Sequence, residues 1–109
     1  MAESEQTVAV GDVSRGLVAV NDYVVGSTRG EYFALTRWCR HRRGDLARGS
    51  IDADGCLVCP VHGARFDIRS GRAVDGPQVP GGGLIKRMMN RHPLERRPVE
   101  VEGETLRIR

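Results

Sequence analysis

Two short clusters of cysteine and histidine constrain the fold of this chain more than any other feature. The first is Cys39-Arg40-His41 and the second is Cys59-Pro60-Val61-His62, with 17 residues between them. Each cluster offers one thiolate and one imidazole, and both groups bind transition metals. A Cys and a His spaced by one or two residues fit at the tip of one tight loop. Two such loops facing each other can hold a dinuclear centre, with Cys on one metal and His on the other.

The rest of the chain indicates short strands separated by turns. With 109 residues, 14 of them Gly, and only 5% aromatic residues, one domain with a modest core is expected. Only Leu84–Asn90 indicates a short helical turn. We expect an all-β fold, a compact antiparallel β-sandwich. Segments rich in Val, Tyr and Thr predict strands at Thr7–Val10, Leu17–Val20, Tyr23–Val25, Glu31–Thr36, Pro98–Val101 and Thr105–Arg109.

Two Cys and two His also make a complete zinc set. The usual zinc order keeps the two Cys together and the two His together, whereas each cluster is mixed here. Cys56 adds a further alternative, because it forms a CxxC pair with Cys59 that can join a zinc or redox site. If Gly55–Cys59 is a strand, Cys56 is instead a small buried hydrophobe. The spacing favours a mixed-ligand iron–sulfur centre and leaves these alternatives open.

The composition of the chain indicates where in the cell the protein works and which kind of partner it binds. No apolar stretch approaches the roughly 20 residues that span a bilayer, and the first ten residues lack the features of a secretory signal. The predicted location is therefore cytoplasmic, where structural disulfides are rare. The net charge is +3, and there is no basic helix or array of stacking aromatics of the kind that nucleic-acid binders use. The positive charge favours an acidic protein partner.

The residues that flank the two clusters resemble Rieske ferredoxins and the Rieske domains of ring-hydroxylating oxygenases. From Trp38 the chain reads WCRHRRGDLARGSI, and from Cys59 it reads CPVHGARFDIRSGRAVDGP. Gly44-Asp45-Leu46 after the first cluster is typical of that family, as is the stretch from His62 to Asp67 after the second. The similarity extends over residues 8–108, which is nearly the whole chain.

The resemblance implies a Rieske-like β-sandwich of three small antiparallel sheets. Residues 1–109 would form a single domain, with an inserted cluster-binding subdomain at about residues 37–80. One Rieske-type 2Fe–2S cluster is implied, in which two His replace two Cys on one iron. Cys39 and Cys59 would bind the buried iron. His41 and His62 would bind the outer iron, near the surface from which an electron can leave.

Differences within the family predict a soluble carrier of low potential. Rieske subunits of respiratory complexes carry an extra Cys in each loop and join the two in a disulfide, whereas the matching positions here are Gly44 and Val61. High-potential members have Ser and Tyr hydroxyls that donate to the cluster sulfurs, and the matching positions are Ala64 and Phe66. Because such donors raise the potential, we expect a value of about −150 mV, at the low end of the Rieske range.

The remaining motifs indicate an electron-transfer component and no catalytic residue. Once His41 and His62 are assigned, only His92 remains, which cannot build the 2-His-1-carboxylate iron site of an oxygenase. A GxGxxG dinucleotide motif is also missing from the sequence. The leading hypothesis is a carrier between a flavin-containing reductase and a terminal ring-hydroxylating oxygenase, without a nucleic-acid or membrane partner. The alternatives are a small Rieske subunit of a multi-component reductase, such as nitrite reductase, and a zinc-stabilised interaction domain.

Two further stretches bear on partner contact. The first loop is crowded by arginines, with only Asp45 nearby to offset them: Arg37, Arg40, Arg42 and Arg43. They are either a docking patch that steers an acidic partner or a solvated rim paired with carboxylates elsewhere. The family resemblance places Gly76–Pro80 over the cluster as a shield. Residues 81–92 have no clear counterpart in the ferredoxins and contain Met88 and Met89. Since Met adapts to partner surfaces, this segment is either a contact for a partner or a mobile loop without a role.

Overall fold

The computed structural model describes residues 6–41 and 43–109. This part of the chain consists mainly of short strands, with two helices, α1 (Val10–Val13) and α2 (Gly82–Met89), and a 3-10 turn at Leu46–Arg48. The strands are β1 (Thr7–Ala9), β2 (Val18–Val20), β3 (Tyr23–Thr28), β4 (Glu31–Thr36), β5 (Ser50–Ile51), β6 (Leu57–Val58), β7 (Arg65–Phe66), β8 (Ala73–Asp75), β9 (Arg96–Arg97), β10 (Val99–Glu102) and β11 (Thr105–Ile108).

The strands form three sheets, and their neighbours pair antiparallel. One sheet has the order β1-β11-β10, the second β2-β3-β4-β9, and the third β5-β6-β7-β8. The third sheet lies within the stretch of chain that carries the two Cys/His clusters. The predicted all-β fold of three small sheets is therefore confirmed. Within the described residues, neither helix has the length and apolar character needed to cross a bilayer.

Most predicted strands form, and their ends differ for local reasons. The predicted strand Glu31–Thr36 is β4, whereas β3 continues through Thr28 beyond its predicted end at Val25. Thr28 pairs with Glu31, which leaves a two-residue turn. Arg29 and Gly30 both have positive φ, of 53° and 80°, as a two-residue hairpin turn requires. A tight turn of this kind lets both strands run to its edge.

The expectation that helical structure is confined to residues after 84 is wrong. Val10, predicted as a strand residue, begins α1, which buries Val13. The 3-10 turn buries Leu46, and the Asp45 carboxylate accepts a hydrogen bond from the backbone N–H of Ala47 at 3.0 Å. A single turn is too short to show a helical period in the sequence. The 3-10 turn forms because of one buried residue and one capping hydrogen bond. The turn predicted at Leu84–Asn90 is confirmed as α2, which begins earlier, at Gly82.

Strand β4 lies between two hydrophobic clusters. Phe33 and Leu35 pack into the larger one, while Ala34 packs into the other, as the alternation of a strand requires. Full burial of a side chain such as Phe33 or Leu35 contributes about 1.5–3 kcal/mol. The larger cluster also contains Cys39 and Cys59. The base of the two Cys/His clusters is therefore built into the main core of the protein.

Arg65 joins the strands of the third sheet by ion pairs. Its Nε donates to Asp52 at 2.7 Å, and its two terminal nitrogens donate to Asp75 and Asp54. The Asp75 and Asp52 carboxylates raise the pKa of Arg65. The backbone N–H of Cys56, together with Arg65, lowers the pKa of the Asp52 carboxyl. A carboxyl whose pKa is lower in the folded state stabilises the fold above its unfolded pKa. That contribution is lost as the pH falls through the folded value.

We expect Asp52→Asn to lower the thermal unfolding midpoint at pH 7, because Asn keeps the oxygen that accepts from Cys56 but removes the charge that faces Arg65. The difference from the unsubstituted protein should shrink as the pH falls below about 4, the usual pKa of an aspartate, and should disappear once the pH has passed the lowered pKa of the folded carboxyl. Circular dichroism melts of both proteins, at pH 7 and at the lower pH, measure the difference in unfolding midpoint. Glu104→Gln, in an exposed turn, is the control. Equal effects of the two substitutions at pH 7 would contradict the stabilising role of Asp52.

Candidate metal centre

The first Cys/His cluster lies on a tight hairpin loop. The backbone N–H of Cys39 donates to the carbonyl of Gly44 at 2.9 Å, and the carbonyl of Cys39 accepts from the N–H of Arg43 at 2.8 Å. Arg43 has a positive φ of 55°, which reverses the chain direction. These bonds place Cys39 at the base of the loop. His41 lies between the two ends and is partly exposed.

The second cluster lies on a loop with the same hydrogen bonds. The N–H of Cys59 donates to the carbonyl of Ala64 at 2.8 Å, and its carbonyl accepts from the N–H of Gly63 at 3.1 Å. Gly63, like the fifth residue of the first loop, has a positive φ, here 76°. The two loops are therefore equivalent in backbone structure. Each presents a cysteine at its base and a histidine further along.

The loops meet at a glycine. A Cβ added to Gly44 would lie 2.7 Å from Val61 Cγ2 and 3.0 Å from Cys59 Sγ. Because real Cβ atoms do not approach other atoms so closely, glycine lets the first loop pack directly on the second. This contact brings the sulfur of the second loop to the base of the first. The sequence predicts two facing loops, and the structure has them in contact.

An ion pair fastens the start of the first loop. The Arg37 guanidinium donates two hydrogen bonds to the Asp45 carboxylate, at 2.9 and 2.8 Å, and lies 4.6 Å from the centre of the Trp38 ring. The bond from Arg37 holds the pKa of Asp45 below its usual value. The four arginines of this loop were expected to be either a docking patch or a solvated rim paired with carboxylates. Arg37 is paired with Asp45, and Arg42 lies outside the described residues.

The four predicted metal ligands fall into two pairs with different exposure. Cys39 and Cys59 are 2% and 3% exposed, belong to the core, and form no disulfide. The His41 and His62 rings lie nearer the surface, with 5.4 Å between their centres. This is the arrangement that the family resemblance implies for one inner and one outer metal. It places two soft ligands in the protein interior and two imidazoles at its edge.

His62 contains the atom that most directly indicates a missing partner. Its Nδ1 is buried and has no hydrogen-bond partner among the described residues. A buried nitrogen without a partner costs about 1–3 kcal/mol, and a metal ion would supply the missing bond. The carbonyl of His62 accepts from the N–H of Gln78 at 2.7 Å, which fixes the loop. His62 is therefore held in position while its ring nitrogen lacks a partner.

The donor set fits a 2Fe–2S cluster with two protein ligands on each iron. No three His, Cys, Asp or Glu side chains among the described residues converge on one point, as a single zinc ion would require. The observed pairs are instead two buried thiols and two adjacent imidazoles. The residues present therefore fit the implied cluster.

Three other predicted positions are located as follows. Ala64 and Phe66 are both buried, at 1% exposure, and neither carries a hydroxyl group. Cys56 is half-buried, with its Sγ 3.7 Å from an Arg65 nitrogen. Burial is the main cause that raises the pKa of the Cys56 thiol, and Asp52 adds to it. A thiol with a raised pKa is a poor metal ligand and a poor nucleophile.

Some contacts around the centre escape prediction from the sequence. The Arg40 side chain donates to the backbone carbonyls of His92 and Pro93, at 3.0 and 3.3 Å. In the segment Gly76–Pro80, which the resemblance places over the cluster, the N–H of Gln78 donates to the His62 carbonyl. These contacts join backbone groups far apart in sequence, so no motif predicts them. His92, the histidine that remains after the two ligand assignments, is exposed.

Comparison with known proteins gives the family of this chain. The family model "Rieske [2Fe-2S] domain" matches residues 2–93. A curated relative, the 3-phenylpropionate/cinnamic acid dioxygenase ferredoxin subunit of Shigella boydii serotype 4 (strain Sb227), is 29% identical over 79 residues, which cover 72% of this chain. The match spans only 63% of the length of that relative.

Solved structures share the fold at low sequence identity. The ferredoxin of carbazole 1,9a-dioxygenase from Nocardioides aromaticivorans IC177 has a TM-score of 0.71 at 21% identity, with 97% of each chain covered. NdmA of Pseudomonas putida CBB5 has a TM-score of 0.76 at 23% identity, covering 95% of this chain and 33% of its own. The fold therefore occurs both as a whole small protein and as part of a larger one.

We expect the double variant Gly44→Cys/Val61→Cys to form a disulfide in air, because a Cβ at Gly44 lies 3.6 Å from Val61 Cβ. A disulfide that closes a loop of this size stabilises a protein by about 3 kcal/mol. Mass spectrometry of a non-reducing digest detects the bond, and thermal unfolding with and without reductant measures its effect. Gly44→Cys alone is the control and should destabilise the protein. A double variant that stays reduced would contradict the contact between the loops.

Proposed function

This chain belongs to the family of Rieske 2Fe–2S domains, and we propose from that premise that it carries single electrons between a flavin-containing reductase and a terminal ring-hydroxylating oxygenase. A domain of this family holds one Rieske-type 2Fe–2S cluster. The observation that supports the proposal most directly is the pair of equivalent loops with two buried cysteines and two adjacent histidine rings. The dioxygenase ferredoxin subunit among its relatives supports the choice of acceptor.

The proposed ligands are Cys39 and Cys59 for the inner iron, and His41 and His62 for the outer iron. The buried cysteines exclude water from the sulfur side of the centre, since they lie in the main core. The unpartnered Nδ1 of His62 is the atom assigned to the iron on that residue. When bound, the cluster takes up and releases one electron. Residues 37–80 would act as the cluster-binding subdomain of a single domain of residues 1–109.

The protein's own residues determine how the electron leaves. His41 and His62 are partly exposed, whereas both cysteines are buried. Because electron transfer weakens with distance, a partner that contacts the histidine edge is better placed than one on any other face. Backbone hydrogen bonds close both loops around their cysteines, and we assign no catalytic group to the chain. It is therefore proposed to be a carrier rather than an enzyme, working in the cytoplasm.

A low reduction potential is proposed from two apolar side chains. Ala64 follows the second loop, with its carbonyl accepting from the N–H of Cys59, and Phe66 is buried nearby in β7. Neither side chain has an O–H or N–H group that could donate a hydrogen bond to a sulfur atom. Since such bonds stabilise the more negative, reduced state, their lack favours a value near the low end of the Rieske range, about −150 mV.

We expect the purified protein to contain about two iron and two acid-labile sulfide per chain. Cys39→Ser and Cys59→Ser should lose the visible absorption and the EPR signal of the dithionite-reduced form. Cys56→Ser should keep both, because Cys56 is proposed to have no role as a ligand. Metal analysis, sulfide analysis and spectroscopy of the four proteins measure this. Equimolar zinc without labile sulfide would identify a zinc domain and would falsify the proposal that the chain is an electron carrier.

We expect Ala64→Ser to raise the midpoint potential by roughly 40 mV, which corresponds to about 1 kcal/mol for one added hydrogen bond and one electron. Protein-film voltammetry measures the potentials of the variant and of the unsubstituted protein. Ala34→Ser is the matched control, because Ala34 is equally buried but belongs to the other hydrophobic cluster. A midpoint above zero for the unsubstituted protein, or equal shifts in both variants, would contradict the low-potential proposal.

A further inference from the structure

Helix α2 forms one wall of a groove beside His41. The groove has a volume of about 370 Å³ and a mostly apolar wall. We call it the α2 groove, and it is lined by Arg40, His41, Ile85, Met88, Met89 and His92. Met88 is 56% exposed, and Leu84 on the same helix is 62% exposed. Large apolar side chains exposed next to a functional edge are typical of a contact surface.

Helix α2 is fastened to the body of the protein. The Asn90 side chain both accepts from the N–H of Ala73 at 2.7 Å and donates to its carbonyl at 2.9 Å. Met89 is buried in the main core. Arg40, which lies between two proposed ligands, donates to the backbone carbonyl of His92 beyond the helix. The prediction left this segment as either a partner contact or a mobile loop, and these contacts favour a pre-formed surface.

The charges around the α2 groove have one sign. Between Asp75 and Glu95 the sequence has three basic residues, Lys86, Arg87 and Arg91, and no acidic residue. Within the described part of the chain, none of the three forms an ion pair. Arg87 and Arg91 are exposed and adjoin Met88 and His92 of the groove lining in sequence, whereas Lys86 is half-buried and lines a separate pocket with Asp75. A surface complementary to the groove and to these two arginines would present an apolar side chain with carboxylates beside it.

We propose that the α2 groove docks the terminal oxygenase, which seats an apolar side chain against Met88 and places carboxylates opposite Arg87 and Arg91. This inference rests on the proposed function. It assigns the groove to the electron acceptor because the names of the ferredoxins reported above specify dioxygenases. His41 lines the same groove, so a partner seated there lies next to a proposed ligand of the outer iron.

The test uses Met88→Glu and Arg87→Glu in the full chain with its cluster. The acceptor is the terminal oxygenase from the same genome that the dithionite-reduced, unsubstituted carrier reduces fastest. Each variant should raise the KM of the oxygenase for the carrier about tenfold, with kcat unchanged. Met88→Glu puts a charge against the apolar side chain of the partner, and Arg87→Glu puts a negative charge opposite a carboxylate. The increase of KM with salt should be weaker for Arg87→Glu. Visible and EPR spectra and the midpoint potential should stay unchanged.

Two matched controls separate docking from general effects of charge. Val101→Glu changes an apolar residue that is also 56% exposed but lies on β10. Arg15→Glu reverses an exposed arginine after α1. Both should leave KM within about twofold. If Met88→Glu and Arg87→Glu behave like these controls, the docking site is overturned while the carrier function stands.

The other outcomes are also decisive. If only reduction by a flavin-containing reductase slows in Met88→Glu, the α2 groove belongs to the donor and the proposal is overturned. If sedimentation shows a dimer of the unsubstituted protein that Met88→Glu dissociates, the occupant is a second copy. If the unsubstituted carrier reduces no oxygenase, the proposed function itself fails, and this result is distinct from a failure of docking alone.

Discussion

The contact between the two ligand loops is the constraint on which the rest of the structure depends. Each loop is closed by the same two backbone hydrogen bonds around its cysteine, and Gly44 lets the first loop pack against Cys59 and Val61. Any side chain at position 44 would separate the loops or displace Val61. Because both cysteines also lie in the main core, the geometry of the centre and the stability of the fold are linked.

The candidate site could be predicted from the sequence to an unusual extent. Cys and His at short spacing are chemically distinctive, and the flanking residues add a family pattern that spacing alone lacks. The structure adds what no motif states: the unpartnered Nδ1 of His62, the bond from Gln78 to the carbonyl of that residue, and the carbonyl contacts of Arg40. These depend on backbone groups brought together by folding, and every residue type offers the same backbone atoms.

The fold was predictable where the side chains of a strand alternate between two faces. It was less predictable where a single contact determines whether one helical turn forms. Strand β4 alternates between two clusters, and its predicted bounds are those of the structure. Helix α1 and the 3-10 turn are too short to show a period. Nothing in the sequence singled out Arg65, because Arg69 and Arg72 follow in the same stretch. The sequence left the arginines of the first loop open between a docking patch and a paired rim, and for Arg37 the structure has the pair with Asp45.

Pulsed EPR of the dithionite-reduced protein, with nitrogen-15 in its histidines, tests the central claim most directly. Histidine bound to the reduced outer iron transfers spin density to its nitrogen, so His41 and His62 should give two distinct nitrogen couplings. Both should persist in His92→Ala, because His92 is exposed and is not a proposed ligand. A reduced cluster with no histidine coupling, or one that loses a coupling in His92→Ala, would contradict the assignment of His41 and His62 to the outer iron.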